Sequence, residues 1–165
     1  AARRRRDRAW LMLDELRELY QEVILDHGKN PRNFRRPDKP KREAAGKNPL
    51  CGDQVVVYVD VDQNDCIVDV SFLGKGCAIS IASASMMTEI VKGKSIAEAK
   101  ALFDDFRKMC TTDDFDLNDE NSDEEIERLQ VLSGVRQFPV RVKCATLAWH
   151  ALDAAVDGVD EISTE

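Results

Sequence analysis

Residues 54–73 constrain the fold more tightly than any other part of the chain. They hold two runs rich in β-branched residues on either side of Gln63-Asn64-Asp65, a turn sequence. In the first run Val55, Val57, Val59 and Val61 alternate with Tyr58, Asp60 and Asp62, the period-two pattern of a strand with one buried face. In the second, over 66–73, Cys66, Val68, Val70 and Phe72 fall on one side. Strand, polar turn and strand read as an antiparallel hairpin.

Helical periodicity surrounds the hairpin. Over 14–27, Leu16, Leu19, Tyr20, Val23 and Ile24 recur at three- and four-residue spacing, and Gly28 with Asn30-Pro31 ends the helix. His27 then falls in the last turn, where a cation complements the helix dipole, so a capping role is expected for it. Residues 29–49 read as a long polar loop, with a short strand over 42–46. A helix dense in Ala, Ser and Met is expected over 78–92, with Met86 and Met87 as core filler. Another is expected over 95–109, where Ser95 and Glu98 form a capping box and Ile96, Ala99, Leu102, Phe103 and Phe106 make the buried stripe. Ser122 and Glu125 form a second capping box, opening a short helix to Leu129. Gly134 and Pro139 make 134–142 irregular, and a final helix is expected over 144–156 with Ala145, Ala148, Leu152 and Ala155 inward. His150 reads as a surface residue. These elements predict an α+β fold, a small antiparallel sheet of about three strands with helices on one face. The domain spans 13–158, between an Arg-rich tail over 1–12 expected to be disordered and a frayed tail over 159–165.

The net charge of −7 leaves no general basic footprint for nucleic acid. No apolar run approaches the ~20 residues needed to span a bilayer. The basic start is followed by no apolar segment, so it does not read as a secretory signal, and it lacks the serines of a transit peptide. A cytoplasmic protein with reduced thiols is expected.

Five cysteines then need separate accounts. Cys51 sits in a tight turn, where Gly52 lets Cys51 and Asp53 face one point. Cys77 and Cys144 each fall at an expected helix N-terminus, where the dipole and free N–H groups favour thiolate over thiol. Three thiolates and a carboxylate make a four-ligand set suited to zinc or iron. With no CxxC pair, spacing alone leaves both metal binding and plain packing open. Cys66, on the strand face with Val68 and Val70, reads as a core residue, and Cys110 at a helix end reads as incidental. Arg141, three residues before Cys144, reads either as a partner for a thiolate or as a solvated surface residue; Lys143 reads the same way.

Four segments carry a resemblance across nearly the whole chain after Met12: LYQEVILDHGKNPRNF, CGD, GKGCAISIASASMMTEIVKGKS and FPVRVKCATLAWHAL. Together they resemble the iron–sulfur assembly proteins IscU, NifU and SufU. Two features lean towards the SufU branch. The stretch at about 95–121 resembles an insertion between the second and third site cysteines, and Lys143 stands where IscU has histidine. The resemblance implies the ligands Cys51, Asp53, Cys77 and Cys144, with zinc bound or, alternatively, an iron–sulfur cluster. It implies a zinc-dependent sulfur acceptor or sulfurtransferase that takes persulfide sulfur from a SufS-like cysteine desulfurase; the alternative is a scaffold that builds and hands on a cluster. Cys51 would be the acceptor and Arg141 would orient the incoming persulfide. Onward partners would be a SufBCD-type scaffold or apo iron–sulfur proteins. A purely structural zinc site is the third reading, and an Asp ligand in a Gly turn argues against it.

Overall fold

The computed structural model of the chain describes residues 18–112 and 124–163. The Arg-rich tail, the second capping-box serine Ser122 and most of the acidic stretch after Thr111 lie outside them. In chain order the elements are helix α1 (residues 18–29), β1 (Arg42–Asn48), β2 (Asp53–Val61), β3 (Ile67–Lys75), α2 (Ala78–Val91), α3 (Ile96–Thr111), α4 (Glu124–Leu129), a 3₁₀ segment (Gln130–Gln137), α5 (Pro139–Val156) and β4 (Glu161–Ser163). The sheet runs β3-β2-β1-β4. The β2–β3 hairpin and the β1–β2 pair are antiparallel, and β4 joins β1 in parallel. The expected small sheet with packed helices is present, but among the described residues it has four strands and is mixed. The fourth strand comes from a segment expected to fray: Ala45, Gly46 and Lys47 pair with Glu161, Ile162 and Ser163, and the Ala45 amide donates to the Asp160 carbonyl at 2.9 Å.

Alternation in β2 seats Val55, Val57 and Val59 in the core, as their period requires. Tyr58, expected to face outward, is also buried; it stands in register with Glu43 on one side and Ser71 on the other. The returning strand differs more. Asp60 pairs with Asp69 and Val61 with Ile67, so Val68 is an extra residue, a β-bulge. An inserted residue reverses the inward–outward phase along a strand. Ile67, Val70 and Phe72 are therefore fully buried, Val68 is exposed and Cys66 is only half-buried. Cys66 is not the core residue its spacing implied.

Helices α2 and α5 pack on each other, α5 against β1 and β2, and α2 against β3. A polar link fixes their spacing. The Trp149 indole N–H donates to Ser83 Oγ at 3.2 Å, and that hydroxyl donates to the Ala145 carbonyl. Around it Trp149 lies 5.1 Å from the Phe106 ring and 6.1 Å from Phe103. Met86, Met87 and the stripes expected for α3 and α5 fill this core. The Ser95 hydroxyl accepts from the Glu98 amide at 3.1 Å, the capping interaction the sequence predicts. α5 begins at Pro139, five residues earlier than expected, because proline at a first helical position has its φ set and gives up no intrahelical hydrogen bond.

His27 is not an exposed cap. It is buried, with Nδ1 2.8 Å from Ser85 Oγ, a hydroxyl that also accepts from the Arg32 amide at 2.8 Å. This network ties the end of α1 to α2. On α1, Leu19 points to solvent, while Tyr20, Val23 and Ile24 turn inward. His150 is half-buried, its ring edge-to-face with Phe103 at 4.9 Å. Burial lowers the proton affinity of both histidines, with Arg32 adding to it at His27 and Arg107 at His150. Their folded pKa values therefore lie below the ordinary value near 6.5. The unfolded chain takes up these protons first, so this part of the stability is complete above pH ~6.5 and declines as pH falls towards the folded values. Metal-free protein should lose melting temperature over that interval, and His27→Gln with His150→Gln should reduce the slope. An equal slope in the double variant, read by circular dichroism, would refute the assignment.

Candidate metal centre

Three elements meet at one end of the sheet. The β1–β2 turn carries Cys51 and leads to Asp53, the N-terminus of α2 carries Cys77, and the second turn of α5 carries Cys144. The turn is closed by the Cys51 amide donating to the Asn48 carbonyl at 3.3 Å. Gly52 then takes φ 70°, the left-handed conformation that favours glycine. One ligand atom from each of Cys51, Asp53 and Cys144 lies within 4.8 Å of the others. Cys77 Sγ stands beside them, 4.0 Å from Asp53 Oδ2. The four residues singled out in the sequence are thus gathered in space. Donors of this type, three sulfurs and a carboxylate, fit a tetrahedral zinc or iron site.

Burial grades the site. Asp53 and Cys144 are buried, whereas Cys51 and Cys77 are half-exposed, and Leu50 beside Cys51 is 66% exposed. Asp53 is held from two directions: its Oδ1 accepts from the Cys77 amide at 2.9 Å, and its Oδ2 from Asn48 Nδ2 at 3.3 Å. A buried carboxylate is costly unless donors of this kind satisfy it. Cys77 caps α2, its sulfur accepting from the Ser80 amide at 3.5 Å, as its expected place at a helix start requires.

Cys144 departs from expectation. Because α5 starts at Pro139, Cys144 lies inside the helix, away from the free N–H groups of its first turn. Burial, and then hydrogen bonding with Asp53, Cys51 and Cys77, pushes its thiol well up, the opposite of the activation predicted from a helix N-terminus. A cation bound among the donors is what would draw off this proton. Arg141 is exposed, and the sulfurs of Cys144 first, then Cys77 and Cys51, raise its proton affinity, so its charge lies in the field of the cluster. Cys66 and Cys110 lie elsewhere. Burial pushes the Cys110 thiol to about 12, which keeps it inert.

Two residues of the site were missed in the sequence. Asn48 reads there as one polar residue of a loop, and only its position three before Cys51 marks it. Gly76 reads as a turn glycine; a Cβ on it would overlap the Asp53 carboxylate, and its φ is 148°.

A mixed-sheet α+β domain that draws a cysteine–carboxylate cluster together at one sheet end defines a class of small thiol-site domains. Residues 19–112 match the model of the NifU-like N-terminal domain. Over 147 residues the chain is 42% identical to the iron–sulfur cluster assembly scaffold protein IscU of Streptococcus pyogenes serotype M1, covering 88% of this chain and 87% of the relative. It is 41% identical over 138 residues to the zinc-dependent sulfurtransferase SufU of Bacillus subtilis, covering 84% and 89%. A crystal structure of an iron–sulfur cluster assembly scaffold protein for the SUF system from Fervidobacterium islandicum AW-1 superposes with a TM-score of 0.73 at 35% identity, covering 82% of this chain and 94% of that one. The chain belongs to the NifU-like N-terminal domain family, with IscU and SufU proteins among its relatives.

Proposed function

We propose that the protein serves iron–sulfur cluster assembly as a zinc-dependent sulfur acceptor, taking persulfide sulfur from a cysteine desulfurase. The observation that carries this reading is the grading of the site: one thiol on a protruding turn, Cys51, stands over a buried thiol and a buried carboxylate. The Bacillus subtilis relative's description as a zinc-dependent sulfurtransferase supports it.

Cys51, Asp53, Cys77 and Cys144 would hold the ion. Zinc, when bound, stabilises thiolates at neutral pH without redox chemistry of its own. The Cys51 thiolate attacks the terminal sulfur of the desulfurase persulfide; the S–S bond to the desulfurase breaks, its cysteine leaves as thiolate, and a persulfide forms on Cys51. Cys77 and Cys144, fixed by α2 and α5, stay in place while the turn carrying Cys51 moves. Asp53, the hardest donor of the set, is the ligand most readily exchanged. Arg141 presents a positive charge to the incoming anionic sulfur. Five unpaired cysteines fit a reducing compartment, and none of the described helices is long and apolar enough to cross a membrane.

The scaffold reading draws on the same cluster, because a carboxylate among three thiolates suits a cluster that must be released. Protein purified in air separates the two. Colourless protein with about one zinc per chain, able to stimulate desulfurase turnover on cysteine with a reductant, is the expected result. Brown protein carrying iron and sulfide, without stimulation, would overturn the acceptor reading in favour of the scaffold.

A further inference from the structure

Asn48, the last residue of β1, touches three of the four candidate ligands. Its carbonyl accepts from the Cys51 amide at 3.3 Å. Its side-chain amide points at Asp53 Oδ2 at 3.3 Å and at Cys144 Sγ at 3.5 Å. It stands opposite Asp53 in the β1–β2 register and is completely buried. An amide nitrogen has two protons, so one group can serve both acceptors at once.

The other half of the amide is informative. Among the described residues, Asn48 Oδ1 is buried and finds no hydrogen-bond partner. A buried, unpaired carbonyl is costly, so an asparagine present only to fill space would be oriented to satisfy it. Turning the amide over would set Oδ1 against the Asp53 carboxylate, acceptor against acceptor. The orientation therefore follows the needs of the cluster.

We propose that Asn48 is a positioning residue for the metal centre, clamping a hard carboxylate and a soft thiolate on one donor group and tying both to the turn that carries Cys51. The proposal rests on the reading of these residues as a metal site. By donating to the two buried ligands, the amide offsets part of the charge that crowds them and fixes where each donor atom faces. Groups that orient metal ligands in this way typically account for 10- to 100-fold in metal affinity.

The test uses the full chain with Asn48→Ala, Asn48→Asp and, as a core control far in sequence from the turn, Phe106→Leu. Zinc affinity is read by competition with a chromophoric chelator, and ligand geometry by the visible and thiolate charge-transfer bands of the cobalt(II)-loaded protein. Asn48→Asp keeps the size and shape, so it answers if the alanine variant fails to fold. Zinc affinity should fall by about 10- to 100-fold in both Asn48 variants, with shifted cobalt bands. Phe106→Leu should lower the melting temperature of metal-free protein and leave affinity and spectrum unchanged. Asn48 variants that bind zinc as tightly as wild type, or an aspartate variant that binds it more tightly, would overturn the role assigned to the amide. Wild-type protein that binds neither ion would overturn the metal-site reading itself, and this proposal with it.

Discussion

Replacing Cys51 with alanine should reduce desulfurase turnover to the rate seen without this protein. Cys51 is the one thiol on the protruding turn; Cys144 lies buried behind it, and Cys77 is engaged as the cap of α2. No remaining sulfur can take over, because acceptance needs a thiolate that reaches a partner's persulfide. Asp53→Ala should reduce stimulation without abolishing it. It leaves Cys51 in place but strips the Cys77 amide and the Asn48 side chain of their shared acceptor. Cys66→Ser and Cys110→Ala should change neither zinc content nor stimulation, since both residues lie outside the cluster. The assay is turnover with cysteine and a reductant, with zinc measured by elemental analysis. Full stimulation by Cys51→Ala would refute the acceptor assignment, and zinc lost from Cys66→Ser would mean that the ligands are misassigned.

Gly76→Ala should be the most damaging single-methyl change at the site. The new Cβ would occupy the space of the Asp53 carboxylate, and residue 76 holds φ 148°, where L side chains are strained. Backbone strain of about 1–3 kcal/mol and overpacking of about 1–3 kcal/mol sum to roughly 2–6 kcal/mol. For a chain of this length that lowers the melting temperature by roughly 5–20 °C. Zinc should be lost as well, because relief of the overlap moves Asp53 off the cluster. Gly93→Ala is the comparison: its φ is also positive, at 89°, but nothing stands within 4 Å of the added carbon. It should cost stability and keep the metal. Two variants equal in zinc content would show that the overlap is accommodated elsewhere.

Much of this was legible in the residues, and the exceptions share a physical cause. The valine alternation of β2 and the stripe of α3 depend on local period alone, and the sequence reports local period directly. Cys77 at the start of α2 was legible for the same reason. The bulge at Val68 was not, because an extra residue changes the facing of Cys66 without altering composition. β4 was not, because Glu161–Ser163 has no strand pattern of its own and is fixed by the open edge of β1. The early start of α5 was signalled by Pro139, read as a breaker when its place at the helix start makes it an initiator. That displacement took Cys144 away from the helix N-terminus, and burial instead pushes its thiol up, while the residue stays in the cluster. Asn48 and Gly76 act through contacts with Asp53, which no spacing rule reveals.

The amide of Asn48 and the sulfur of Cys144 are 96 residues apart in the chain. The cluster is therefore a product of tertiary closure, unlike a zinc finger, whose ligands sit close enough to gather an ion from a nearly unfolded segment. During synthesis the first three candidate ligands emerge long before the fourth, and α5 must dock on the sheet before all four can share an ion. On the proposed zinc-site reading, occupancy certifies a finished fold, and a ribosome-bound chain stopped ahead of Pro139 should capture zinc far more weakly than the released protein.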